Sequence, residues 1–304
     1  MKQNIALIGS LPNNGIEFIR IHYLLKLVSL QNVDQTINFN FTFLDELMDI
    51  LKQYNLKPGF ELMGNPSNYF SDFENETQIY LWKDFIKTLV SRYIKRYEMD
   101  YVSKWKFENW NEPDISFKKN DFDHIKVTIK GFLNYYDACS QALKEVGNDS
   151  LIFGGPGDHW PKVVSNQSLV FSLLNHCANG KNYFTKKYND TKLSYISLHE
   201  KGLKGDTFYI DQLEKNAIQN IDHYFPSLKQ VPFVNNEGDP EVTWDKDRWW
   251  RGDCTYASTV CQAIVRRILS WNYTNPLSWF SNDNGFLSYH PFHFTQRTLL
   301  ARLK

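Results

Sequence analysis

Short apolar runs alternate with amphipathic stretches from one end of this chain to the other. GIEFIRIH at 15–22 reads as a first strand and INFNF at 37–41 as a second. Thr42 and Asp45 carry a capping-box signature, and Leu44, Leu47, Met48 and Leu51 follow at helical spacing. GFELMG at 59–64 is a third strand, and Trp82, Phe85, Ile86, Leu89, Val90 and Tyr93 form the apolar stripe of the next helix. The run at 104–110 is a fourth strand, followed by a helix with Phe132, Tyr136, Cys139 and Leu143 on one side. LIFGGPG at 151–157, LSYISLH at 193–199, VPFVNNEGDP at 231–240 and PLSWFSND at 276–283 supply strands five to eight. A weaker helix is expected over about 209–223, and Tyr256, Val260, Cys261, Ile264 and Ile268 form another.

Eight strands separated mostly by helices, with no linker between them, predict an α/β protein with a parallel (β/α)8 TIM barrel. A doubly wound open sheet would need a phosphate-binding glycine loop after its first strand, and GGPGD at 154–158 lacks that spacing. One catalytic barrel is expected over 1–304. The chain stops soon after the eighth strand, so the barrel is expected to be truncated there, without a full eighth helix.

Composition changes this picture in a few places. The chain has 304 residues, enough for one large barrel. The 9 Trp, 17 Tyr and 22 Phe suit either an aromatic core or a surface that stacks on sugar rings. The 34 basic and 34 acidic residues cancel, which argues against nucleic acid as a partner. In an acidic compartment the 8 His would add positive charge, suiting an anionic substrate. No apolar run reaches 18 residues, so no transmembrane helix is predicted. The first residues make a poor signal peptide. Yet six glycosylation sequons, at Asn40, Asn75, Asn148, Asn166, Asn189 and Asn272, favour a secretory-pathway protein. Cys139, Cys177, Cys254 and Cys261 form no CxxC pair, which leaves no zinc or redox signature, and are expected to be buried thiols.

The chemistry sits at two strand ends. The fourth strand runs out at Asn111-Glu112-Pro113, where proline stops the ladder, and the seventh at Asn236-Glu237-Gly238. Strand C-termini form the face on which such barrels build active sites. Two carboxylates there are the apparatus of a retaining glycosidase, although a lone glutamate at a strand end also serves as a surface or salt-bridged carboxylate. Asn111 is placed either to bind a sugar 2-hydroxyl or simply to turn the chain.

WNEPD, GGPGD, YISLHEKG, NNEGDP and SNDNGFLSYHP occur in this order, and the chain resembles the α-L-iduronidase branch of the glycoside hydrolase family that also holds β-xylosidases. The resemblance runs from about Asn4 to Leu303. It implies Glu112 as general acid/base and Glu237 as nucleophile, with no metal or organic cofactor. It also implies that Lys201 and Arg297 bind a uronate carboxylate, with Gly238 adding a backbone donor. Asp283 and His22 match sugar contacts, and His199 would orient Glu237. The expected substrate is a terminal α-L-iduronide of a glycosaminoglycan, dermatan or heparan sulfate, or a small iduronide. Tyr69 and Ile115 stand where that branch has histidine, and the family's C-terminal sandwich and fibronectin-like domains are expected to be absent from residues 1–304. A β-xylosidase-like enzyme and a silent glycosaminoglycan-binding fragment are the alternative readings. The oligomeric state is open.

Overall fold

The computed structural model describes residues 2–10, 17–33, 36–120, 122–162, 164–165, 167–202 and 207–238. The chain divides into two compact units, one of residues 1–17 and 197–304 and one of residues 18–196. Helix α1 (Lys2–Gly9) belongs to the first, and the following elements, up to the start of β7, to the second.

In the second unit, β1 (Phe18–Ile21) is followed by an antiparallel pair, β2 (Ser29–Val33) and β3 (Thr36–Asn40). Then come α2 (Thr42–Gln53), β4 (Lys57–Glu61), α3 (Glu76–Tyr97), α4 (Met99–Val102) and β5 (Lys106–Glu108). α5 (Pro113–Lys119), α6 (Ile129–Gly147), β6 (Ile152–Asp158) and α7 (Leu169–Asn179) complete it. β7 (Ile196–Leu198) spans the junction of the units, and α8 (Thr207–Tyr224) and β8 (Phe233–Asn235) follow in the first unit. This strand–helix succession is that of a (β/α)8 barrel, and six of its strands fall within the described residues.

Within the second unit, β1 pairs with β4, β4 with β5 and β5 with β6, all parallel. The register sets Phe60 beside Phe107 and Phe107 beside Phe153, in one row across the sheet. Side chains alternate faces along a strand, so this row turns one way and Glu61 and Glu108 the other. The Phe row packs under helices. Phe60 stacks on Trp105 with ring centroids 6.0 Å apart and lies 6.4 Å from Tyr93 of α3, while Phe153 lies 4.7 Å from Tyr136 of α6. The helical stripes read from the sequence on α2, α3 and α6 are all buried. Cys139 and Cys177 are buried free thiols, and Cys254 and Cys261 lie outside the described residues.

Two expectations need correction. INFNF is a strand, but it pairs antiparallel with β2 in a separate two-stranded sheet instead of entering the parallel set. Its strict polar–apolar alternation suits a strand with one wet face, whereas parallel barrel strands are buried on both. The Asn-Glu-Pro strand, β5, is therefore the third parallel strand of the described residues, not the fourth. The capping box also does not form. α2 starts at Thr42 with Phe41 as its cap; the Asn40 side chain accepts from Thr42 N at 3.0 Å, and Asp45 is bound by Arg92 of α3. The expected strand at 276–283 and helix around 256–268 lie outside the described residues.

α3 and α6 are clamped at the surface by Glu145, whose carboxylate takes Lys83 at 3.0 Å and Lys87 at 2.9 Å. Partial burial would raise this carboxyl, but the two lysines and Gln141 outweigh it and hold it down at about 2. A carboxyl depressed in the folded state contributes stability that is complete above its unfolded value and is lost as pH falls toward the folded one. Acid unfolding followed by circular dichroism should therefore show a loss of stability between about pH 4.5 and about 2, and Glu145→Gln should flatten it. An unchanged acid slope in that variant would remove the clamp's role.

Candidate active site

β5 ends at Glu108, and four residues later the chain turns sharply. Glu112 caps α5 in the left-handed region, at φ 44° and ψ 58°. Pro113 at the first helical position has its φ already fixed and no N–H to satisfy. A left-handed non-glycine residue costs on the order of 1–3 kcal/mol and persists only where its surroundings hold it. Here the Glu112 amide donates to Gly157 O at 2.7 Å, and the Asp114 amide donates to Asp158 Oδ2 at 2.7 Å. The Asp114 carboxylate in turn accepts from Leu169 N at 2.6 Å and Ser168 Oγ at 2.9 Å, where α7 begins. Gly157 has φ +70°, and a Cβ there would sit 2.8 Å from Trp110 O and 3.0 Å from Glu108 Oε1, so the loop that receives Glu112 requires glycine. His159 brings its Nε2 to 4.0 Å from Glu112 Oε1. Trp110 is 1 % exposed and packs 4.6 Å from Phe122 and 6.0 Å from Tyr135, which makes it a supporting wall instead of a sugar platform.

Beneath this turn lies a buried ion cluster. Arg20 on β1 sends Nε to Glu108 Oε2 at 2.6 Å, and Nη2 to both Glu61 Oε1 at 2.8 Å and Asn111 Oδ1 at 3.0 Å. The Arg20, Glu61 and Glu108 side chains are nearly or fully buried. His22 places Nδ1 2.9 Å from each Glu61 oxygen. So two predicted site residues, Asn111 and His22, are both fixed by this cluster. Arg20, Glu61 and Glu108 were not singled out from the sequence. The signal was present: FIRI, GFE and KFE each carry a charge inside an apolar strand, and a buried charge needs a partner.

The first unit holds the second carboxylate. β8 leads into Asn236 and Glu237, and the Asn236 amide donates to Leu198 O of β7 at 3.2 Å. Asn235 ties the two chain segments together. Its Nδ2 donates to Glu200 O at 2.8 Å and to Glu214 Oε1 at 2.6 Å, and its Oδ1 accepts from Glu200 N at 3.2 Å. This strap fixes His199 and Lys201 against Glu237. Lys201 Nζ lies 2.8 Å and His199 Nδ1 3.4 Å from Glu237 Oε2, with all three side chains at most 10 % exposed. His199, expected to orient Glu237, stands beside that carboxylate. Lys201, expected to face a substrate carboxylate, is paired with Glu237. Gly238 is buried at the end of the described segment, and Asp283 and Arg297 lie outside the described residues. Of the sequon asparagines, Asn40, Asn75, Asn148 and Asn189 are exposed, while Asn166 and Asn272 lie outside the described residues.

The family model for glycosyl hydrolases family 39 matches residues 2–302. The α-L-iduronidase of Mus musculus is 45% identical over 99% of this chain and 47% of its own length. That of Homo sapiens is 44% identical over 99% of this chain and 46% of its own. The chain thus spans about half the length of the curated relatives it matches. A solved structure of a bacterial orthologue of human α-L-iduronidase aligns with a TM-score of 0.82 at 33% identity, covering 94% of this chain and 46% of that one.

Arg20→Ala should leave two buried carboxylates without their cation and destabilise the fold by about 3–5 kcal/mol, the range for breaking a buried pair. Chemical denaturation measures this. A loss within the error of a surface substitution would show that the cluster carries no stability.

Proposed function

The chain belongs to glycosyl hydrolase family 39, and from that premise we propose that it is the catalytic barrel, over residues 1–304, of a retaining glycosidase acting on terminal α-L-iduronides of glycosaminoglycans. The observation that carries this reading is the match of nearly the whole chain to α-L-iduronidases. A lysosomal or secreted setting and glycosaminoglycan breakdown go with the same reading.

Glu237 is the proposed nucleophile. Its attack on the anomeric carbon needs the ionised form, and a cation as near as Lys201 favours that form. Glu112 gives its proton to the departing glycosidic oxygen. It then takes a proton from the water that attacks the glycosyl-enzyme, so that two inversions give retention. Such a mechanism asks for carboxyls about 5–5.5 Å apart. Glu112 must start protonated while Glu237 is charged, and covalent bonding at Glu237 removes that charge before Glu112 acts as a base. Asn111, held by Arg20, offers its amide to the 2-hydroxyl, a contact that strengthens in the transition state. Lys201 and Arg297 are assigned to the uronate carboxylate, Lys as a point charge and Arg as a bidentate fork, with Gly238 N–H as a further donor. Lys201 rests on Glu237, so an arriving uronate shares a cation already in place. Asp283 and His22 are proposed hydroxyl contacts. The chemistry asks for carboxylates and fixed charge alone, with no cofactor.

A fluorogenic aryl α-L-iduronide, assayed from about pH 3.5 to about pH 7 where perturbed carboxylates titrate, should give a bell-shaped rate profile. Glu237→Gln should lose at least about a thousandfold in kcat, the scale on which a catalytic group counts, while circular dichroism still reports a folded chain. Retained turnover would sink the assignment. Lys201→Met and Arg297→Met should depress kcat/KM for the iduronide far more than for an aryl β-xyloside. Equal losses would remove their role, and activity on the xyloside alone would make the enzyme a xylosidase.

A further inference from the structure

The segment after α7 is fastened to α6 by one buried acid. Asp137, 1 % exposed, accepts from His176 Nε2 at 2.9 Å, Tyr183 N at 2.7 Å, Thr191 Oγ1 at 2.7 Å and Asn182 Nδ2 at 3.3 Å. These bonds stretch over residues 176–191 and hold an irregular loop in one shape. Between that loop and α6 lies an open groove of about 620 Å³, lined among others by Lys130, Asn134, His176, Lys181, Tyr183 and Lys186. The acid in its wall is already consumed by four donors, so the charge offered to solvent comes from the lysines.

Lys130 is paired with Glu74 at 2.9 Å, but Lys181 and Lys186 are exposed and have no carboxylate partner among the described residues. Lys186 Nζ stands 4.3 Å from the centre of the Tyr183 ring. That ring belongs to a cluster in which Tyr80 lies 6.4 Å from Tyr183 and 5.1 Å from Phe184. Tyr80 and Tyr188 are themselves exposed, at 43% and 71%. Aromatic rings beside ammonium groups that no carboxylate among the described residues neutralises match a pyranose ring that carries anionic substituents. A loop fixed beforehand avoids the ordering cost of binding such a chain.

We propose that this groove is a second carbohydrate site, one that takes an internal stretch of a sulfated uronic-acid polysaccharide through Lys181 and the Lys186 ammonium poised over the Tyr183 ring. It rests on the reading of the chain as a glycosaminoglycan hydrolase. It assigns to that enzyme a means of holding the polymer away from the scissile end.

The test uses a dermatan sulfate decasaccharide closed at its non-reducing end by an unsaturated uronate, so that it presents no cleavable iduronide. Binding is measured by calorimetry at about 50 mM salt, where surface charge is lightly screened. The wild-type chain should bind it, and K181E/K186E should weaken binding about tenfold, since exposed ion pairs are individually small. A desulfated decasaccharide should bind the wild type more weakly than the sulfated one, and turnover of an aryl α-L-iduronide should be unchanged in the double variant. Equal binding by wild type and variant would overturn the proposal. So would undetectable binding by the wild type, the outcome expected of a groove made for a protein. Should the wild type fail to hydrolyse the aryl iduronide while the double variant still loses oligosaccharide binding, the groove stands and the catalytic reading falls.

Discussion

Arg20 stands between Glu61 and Glu108 with almost no water around any of the three. Removing such charges from solvent is expensive, and the expense is met only when every partner is in position. The partners come from three neighbouring strands, β1, β4 and β5, so their register cannot slip without breaking the cluster. On the opposite face of the sheet the Phe60–Phe107–Phe153 row asks for the same register through packing. The two faces thus enforce one alignment by different physics. What the ion cluster adds is direction: it aims Asn111 and His22 at the end of the sheet where Glu112 stands.

Each candidate carboxylate is held by backbone as much as by side chains. Glu112 occupies a conformation that it would not choose, stabilised by Gly157 O on one side and by the Asp158–Asp114 pair on the other. That pair couples the ends of β5 and β6 to the start of α7, so three connections share one arrangement. In the other unit, Asn235 does comparable work with a single amide. It bonds both the amide and the carbonyl of Glu200, as a strand neighbour would, beyond the point where β7 stops. His199 and Lys201 flank that residue and inherit its position.

The sequence carried the helices well, because α2, α3 and α6 each bury a stripe that repeats at helical spacing. It located Glu112 and Glu237 just past the ends of β5 and β8, although Pro113 opens α5 there and does not itself end the strand. It misled at INFNF, where alternation identified a strand truly but not its sheet. The same alternation held the answer, since a wet face does not belong in a barrel wall. It misled again at Thr42 and Asp45, because a capping pattern competes with other partners, and Arg92 takes Asp45 from a helix far along the chain. Arg20, Glu61 and Glu108 escaped for a related reason. A charge in an apolar strand announces that it has a partner, but which partner is fixed by a register that only folding supplies.

Cys139 lies wholly inside the α3–α6 interface, where burial pushes its thiol up to about 12, and burial raises Cys177 as well. Disulfide exchange is carried out by the thiolate, the form that burial disfavours at both positions. The folded chain thus holds both sulfurs in the less reactive thiol form, and among the described residues neither has a partner cysteine. It could pass through an oxidising compartment with these two thiols intact, its redox inertness supplied by packing alone.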